Sequence, residues 1–188
     1  MTKLAPYLNE HPPINAMFET NRIKLRAPEP QDLDTLYLWE NDVKLWKYGN
    51  TINPLSRFAL SEFINNSSEN IFDSKQLRLM IVFKSNGESI GAIDLYDFDP
   101  LHKRIGVGIL IDLAHQRQGF AKEALGIIKK YCVELLGVHQ VYAHIPMQNV
   151  ASIALFASCG FIQSGVLRDW LRVKQSFEDV AVMQFMCE

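Results

Sequence analysis

"HQRQGFAKEALGIIKKY", residues 115–131, sets one glycine, Gly119, between a Gln-Arg-Gln run and a long amphipathic segment. Beyond Gly119, Ala121, Leu125, Ile128, Cys132 and Leu135 fall on one helical face and Gly137 supplies a stop, so the spacing predicts a helix over 120–137. The stretch before the loop, "HKRIGVGILID" (102–112), is rich in β-branched residues and predicts a strand. A strand, a tight loop and a helix start together make a site for an anion. The first turn of a helix leaves N–H groups without partners, and the macrodipole adds roughly half a positive charge there. Phosphates use both effects. Gly119 lets the backbone approach a ligand, and Arg117 offers a charged contact to a phosphate oxygen. No G-K-[ST] follows, which excludes a Walker A loop, and the further glycines of a dinucleotide fingerprint are missing.

Working outward, "RIKLRAP" (22–28) alternates apolar and polar residues and predicts a short strand. "PEPQDLDTLYLWENDVKLW" (28–46) predicts a helix through Leu33, Leu36, Tyr37 and Trp39, and residues 53–70 predict a second through Leu55, Phe58, Ala59 and Phe63. From residue 76 the period shifts toward two. "QLRLMIVFK" (76–84), an Asn86-Gly87 turn and "SIGAIDLYDFD" (89–99) predict a hairpin, with Asp94 and Asp97 on opposite faces. With 102–112 they predict an antiparallel meander. After the long helix come a strand at 139–145, a helix at 149–159 capped by Asn149, and strands at 160–167 and 179–186. The fold class is therefore α/β (α+β): one mixed, mostly antiparallel sheet with helices. Residues 1–21, with three prolines and no period, predict an irregular arm before a single domain over 22–188.

The 188 residues, 48% hydrophobic and 21% charged, suit one globular domain with a sizeable core. A formal net charge of −2 argues against a nucleic-acid partner. Three scattered cysteines, Cys132, Cys159 and Cys187, suggest reduced thiols in the cytoplasm. No apolar run reaches membrane-spanning length, so no membrane partner is expected. His102, His115, His139 and His144 show no metal-ligand spacing, so no metal is assigned.

Two motifs in order now carry a resemblance. "QRQGFA" (116–121) is similar to the Q/R-x-x-G-x-G/A pyrophosphate loop of the GNAT superfamily, the GCN5-related N-acetyltransferases. "NVASIALFASCGF" (149–161) is similar to its N-x-x-S-x-x-L/I-Y/F-x-x-x-G-F signature. The loops stand about 30 residues apart, with the expected helix and strand between them. The opening "NRIKLRAPEPQDLDTLYLWEND", the acidic hairpin "LYDFDPLHKRIGVGILID" and the tail "GVLRDWLRVKQSFEDVAVMQFM" resemble the RimJ/RimL and spermidine N-acetyltransferase branch.

The resemblance implies an N-acetyltransferase with acetyl-CoA as co-substrate, helices on both faces of the sheet, and a splay beside the central strand. In that frame Gly108, Ile109 and Leu110 pair with the pantetheine arm, with an oxyanion donor near Leu110. The backbone of His115, Gln116, Arg117, Gln118, Gly119, Phe120 and Ala121 takes the pyrophosphate. Asn149, Ser152 and Phe156 lie along the cofactor. Gly106 and Gly108 around Val107 independently suggest a close approach of backbone. Two departures stand out. Phe156 replaces a tyrosine that many relatives use as the thiolate acid, and Gly106 replaces a glutamate that some use as a base.

For the acceptor, the resemblance points to Trp39 and Glu40, with Asp42, Trp46 and Tyr48 nearby, and to Asp97 on the acidic hairpin. Aromatic and acidic residues together suit a cationic amine. A polyamine, a protein N-terminal amine and a small metabolite amine all remain open, as does a homodimer. The alternative function is an acyl-CoA-binding sensor with little turnover, motivated by Phe156 and Gly106.

Overall fold

The structure, a computed structural model, describes residues 17–46, 53–67 and 69–187. A seven-stranded sheet runs in the order β1-β2-β3-β4-β5-β7-β6. The strands are β1 Ile23–Arg26, β2 Leu77–Phe83, β3 Ser89–Asp99, β4 Arg104–Ile111, β5 Gln140–Pro146, β6 Ile162–Val173 and β7 Ser176–Met186. All neighbours are antiparallel except β4 and β5, which are parallel. The helices are α1 Leu33–Glu40, α2 Val43–Trp46, α3 Arg57–Asn65, α4 Ile71–Ser74, α5 Phe120–Glu134 and α6 Val150–Ser158.

Side-chain alternation gives the sheet two apolar faces. On one, Leu79, Ile81, Ile93, Leu95, Ile105 and Val107 pack against Phe120, Ala124, Leu125 and Ile128 of α5 and Phe156 of α6. On the other, Met80, Val82 and Ala92 meet Leu36 of α1 and Ile64 of α3. The meander and the expected helices on both faces are therefore present.

Several expected elements change in detail. The helix expected over 28–46 divides into a 3-10 turn at Pro30–Asp32, α1 and α2, interrupted at Asn41, whose side-chain amide donates to Tyr37 O (2.9 Å) and Leu55 O (3.0 Å). In α3 the buried residues are Leu60 and Ile64, while Phe58 faces outward. The helix α5 ends at Glu134, leaving Leu135 exposed and Gly137 in a left-handed turn. The last two strands lengthen into a hairpin closed near Lys174, with Arg168 and Asp179 ion-paired across it. Its polar, outward-facing residues carry little apolar alternation, which is why spacing gave only its inner halves. Residues 17–20 are seated against the domain: Glu19 bridges Lys24 and the Phe18 ring lies 5.2 Å from that of Tyr131.

Asp32 is the buried charge among the described residues, 3% exposed. Its carboxylate accepts from Arg26 Nη2 (3.0 Å), Ser89 Oγ (2.7 Å) and the Glu29 N–H (2.8 Å), tying β1, the 3-10 turn and β3 together. Burial by itself would raise the Asp32 carboxyl, but the bonds from Arg26, Glu29 and Ser89 outweigh it and hold it below the usual value. A carboxyl held low stabilises the fold above its unfolded pKa, and that stability is lost as pH falls through the folded value. Asp32→Ala strands the half-buried Arg26 and is expected to cost about 2–4 kcal/mol. Urea unfolding as a function of pH checks it: the variant should be weaker at neutral pH and lack part of the wild-type loss below about pH 4.

Candidate active site

The chain leaves β4 through a 3-10 turn at Leu113–His115 and enters the loop that begins α5. Two glutamines shape that loop. Gln116 donates its side-chain amide to Ile111 O (3.0 Å) and Gln118 donates to Ala114 O (3.1 Å). Arg117 (φ 59°) and Gly119 (φ 88°) are both left-handed, and Gly119 stands at the N-cap of α5, where its lack of Cβ removes the steric cost. Among the described residues no acceptor takes the N–H groups of Arg117 to Ala121. They form an open row at a helix N-terminus, the arrangement that binds phosphate.

Arg22, at the start of β1, braces this loop. Its Nη2 donates to Gln118 O (3.1 Å), its Nε donates to Glu123 Oε1 (2.7 Å), and its guanidinium lies 4.6 Å above the Phe120 ring. Thr20 Oγ1 donates to the other Glu123 oxygen (2.7 Å). The Phe120 side chain itself is 3% exposed and packs on Phe83, so of this residue only the backbone faces outward.

The second feature lies between β4 and β5. They pair only at Arg104–Gln140, Ile105–Val141 and Gly106–Tyr142. Beyond Gly106, β4 follows β3 as far as Ile111, and β5 follows β7 as far as Pro146. The sheet opens into a V with its apex at Gly106 and Tyr142. Asp112 N–H donates to Ile90 O (2.9 Å), which fixes the alternation of the antiparallel ladder. Gly108 and Leu110 therefore turn their backbone groups to β3, and Ile109 and Ile111 turn theirs into the V. Of the three residues expected along the pantetheine, only Ile109 offers its backbone to the splay. The Leu110 N–H faces Ala92, so near Leu110 the N–H groups that open into the V are those of Ile109 and Ile111.

At the apex the side chains are aromatic and acidic. The Tyr96 ring lies over Gly106 so closely that a Cβ there would stand 2.2 Å from it. Tyr96 meets Tyr142 edge-on at 5.9 Å between ring centres, and Tyr142 meets His144 at 5.4 Å. A basin of about 440 Å³ opens beside them, lined by Asp97, Asp99, Arg104, Tyr142, His144 and Gln184, among others. Simple alternation placed Asp97 on the face opposite Asp94. Instead, the β3–β4 register shifts between Tyr96 and Asp99, Asp97 takes φ 50°, and this bulge turns it into the basin.

The acetyltransferase (GNAT) domain family matches residues 22–162, three quarters of the chain. The chain belongs to that family. It is similar to the spermidine N(1)-acetyltransferase of Vibrio cholerae, 25% identical over 88% of this chain and 94% of that one. It is also similar to an uncharacterised N-acetyltransferase of Bacillus licheniformis, 28% identical over 89% and 94%. The fold superposes on the Vibrio cholerae enzyme solved with CoA and spermine, with TM-score 0.79, 25% identity and coverage of 89% and 97%. This GNAT chain is thus an N-acetyltransferase: acetyl-CoA is its co-substrate and an amine its acceptor. The unpaired amides of the loop and the open backbone of the V are the groups a phosphorylated, amide-rich co-substrate requires.

The remaining expected residues divide. Asn149 caps α6, accepting from Ser152 N–H (3.2 Å), and both stay partly exposed. Phe156 is 3% exposed and packs edge-on against Phe161, which makes it core. Trp39 packs beside Met80 and Val82 under α1, and Glu40 ion-pairs with Arg78, which also binds Asp94 (2.6 Å). The Glu40 charge is therefore already engaged by a guanidinium, and of the three acceptor residues Asp97 lines the basin. Tyr48 lies outside the described residues. Arg22, Tyr96, Tyr142 and His144 were missed. A signal existed for two of them: Tyr142 and His144 are two apart on one strand and so share a face.

Arg22 both adds charge beside the loop and holds it, so Arg22→Ala is expected to raise the Kd for acetyl-CoA about tenfold, near 1.4 kcal/mol. Isothermal calorimetry measures it, with thermal unfolding to show that the fold persists.

Proposed function

We propose that this GNAT enzyme acetylates a small polycationic amine, bound in the acidic basin at the apex of the V. The observation that carries the proposal is Asp97. It reaches the basin through a bulge and, among the described residues, has no ion-pair partner, whereas Asp99 is neutralised by Arg104 (3.1 Å). An acid held without a counterion beside aromatic rings suits an alkylammonium group through ionic and cation–π contact. Gln184, whose amide donates to Gln140 (2.6 Å), and the phenol of Tyr142 add neutral hydrogen-bonding groups for a second amine along the chain. Two carboxylates in one basin suit an amine that carries more than one charge. The similarity to enzymes named for spermidine agrees with this acceptor.

In the proposed complex the pyrophosphate takes the N–H groups of Arg117 to Ala121, the pantetheine runs along the open backbone of Ile109 and Ile111, and Asn149 and Ser152 flank it from α6. The thioester then stands at the apex beside the basin. Asp97→Asn keeps a residue that tolerates the left-handed backbone and removes only the charge. It is expected to raise KM for spermidine and spermine about tenfold with little change in kcat, and to leave a monoamine such as propylamine nearly unaffected. CoA release followed with a thiol reagent checks this. Faster turnover of N-terminal peptides than of any polyamine would contradict the proposed acceptor.

A further inference from the structure

Two positions that relatives use for proton transfer are vacated here: Phe156 has no hydroxyl and is buried, and Gly106 has no side chain. We propose that proton handling has moved to the open face of the sheet, with His144 of β5 as the general base and Tyr96 of β3 as the hydrogen-bond donor to the departing sulfur. This rests on the basin being the acceptor site.

The geometry is as follows. His144 lines the basin that Asp97 enters, so an amine drawn to that carboxylate arrives beside the imidazole. The groups facing the imidazole are Tyr142 on its own strand, Tyr96 and Asp97 from β3, Val182 and Gln184 from β7, and the Asp99–Arg104 pair across the basin. His144 is exposed at the rim of the basin. The partial desolvation it does undergo lowers its pKa, with Asp97 opposing part of that effect, which favours the neutral imidazole at neutral pH. A neutral imidazole can accept a proton where an imidazolium cannot.

Tyr96 is held differently. Met147 N–H donates to Asp179 O (2.9 Å), so by alternation His144 N–H turns away from β7 and into the V. The His144 N–H lies toward the Tyr96 hydroxyl and offsets part of the upward shift of the phenol. Burial pushes the Tyr96 phenol up to about 12, with Tyr142 and the acids adding to it, so it stays protonated throughout the working range. It is a fixed donor and not a titrating acid. Gly106 is what admits its ring: any side chain there would occupy the same space.

The proton count closes. The amine nitrogen forms the new C–N bond as the C–S bond breaks. Of the two protons an ammonium acceptor loses, one passes to the His144 imidazole and on to solvent. The other ends on the CoA sulfur, whose thiolate needs only a hydrogen bond to leave because thiols ionise near pH 8.5.

The test compares wild type, His144→Gln, His144→Ala and Tyr96→Phe on the best amine of a panel of spermidine, spermine, propylamine and N-terminal peptides. His144→Gln is expected to lower kcat about 100-fold, to leave acetyl-CoA binding by calorimetry unchanged, and to remove the acid limb of kcat/KM. In wild type that limb should lie below the ordinary imidazole value of about 6.5. Added imidazole should restore part of the rate of His144→Ala and none of Tyr96→Phe. Tyr96→Phe should lower kcat about tenfold and keep the acid limb. A His144→Gln enzyme within about twofold of wild type, with its acid limb intact, would overturn the base assignment. An unchanged Tyr96→Phe enzyme would overturn the donor. Wild type that prefers propylamine or a peptide defeats the polyamine acceptor alone, since the same variants still report on that amine. Wild type that binds acetyl-CoA and transfers to nothing in the panel defeats both.

Discussion

β4 and β5 share three residue pairs and then part, and the rest of the site depends on that parting. An unpaired strand edge is a row of donors and acceptors without partners, which folded proteins usually cover. Here it lies inside the sheet, between two strands that are each bonded on their far sides. Each wall of the V is stiff, because β4 is bonded to β3 along its length and β5 to β7. The opening is therefore a permanent feature of the topology. Its base lies beside the acidic basin, and its mouth lies by the loop that begins α5.

Ion pairs fix the helices to these walls. Arg22 and Thr20 join the start of β1 to Glu123 in the first turn of α5, which locates the loop amides relative to the sheet. On the opposite face Arg78 connects β2 to Asp94 of β3 and Glu40 of α1. Burial lowers the Arg78 pKa, but its two carboxylates outweigh burial and the net shift is upward, so it is a permanent cation. Such partly buried pairs add little net stability over an apolar substitute, but losing one partner is costly because a charge is then left without compensation. They set position more than they set stability.

The two departures from the family pattern are physically linked to what replaces them. Phe156 gives up a hydroxyl and gains an edge-on contact with Phe161 at 4.9 Å, which seats α6 on the sheet. At Gly106, where the resemblance expects a carboxylate, the Tyr96 ring lies so close that a side chain would require the ring to move.

Spacing in the chain determined the element order, the antiparallel meander, the core face of α5 and the glycine loop before it. Those are local properties: apolar period, β-branched runs, and a glycine beside a helix start. The two motifs determined the family, because a phosphate loop and a helix cap must each be written contiguously. Spacing did not determine where Asp97 points, because a one-residue bulge reverses the alternation that any period-two argument assumes. Nor did it separate Ile109 from Leu110, since which amide faces the V follows from the register with β3. Arg22 lies about a hundred positions from Glu123, and Tyr96 and His144 come from strands that are not neighbours in the sheet. Only the packing of the sheet brings such residues together, so the clamp on the loop and the cluster of Tyr96, Tyr142 and His144 were decided by tertiary structure alone.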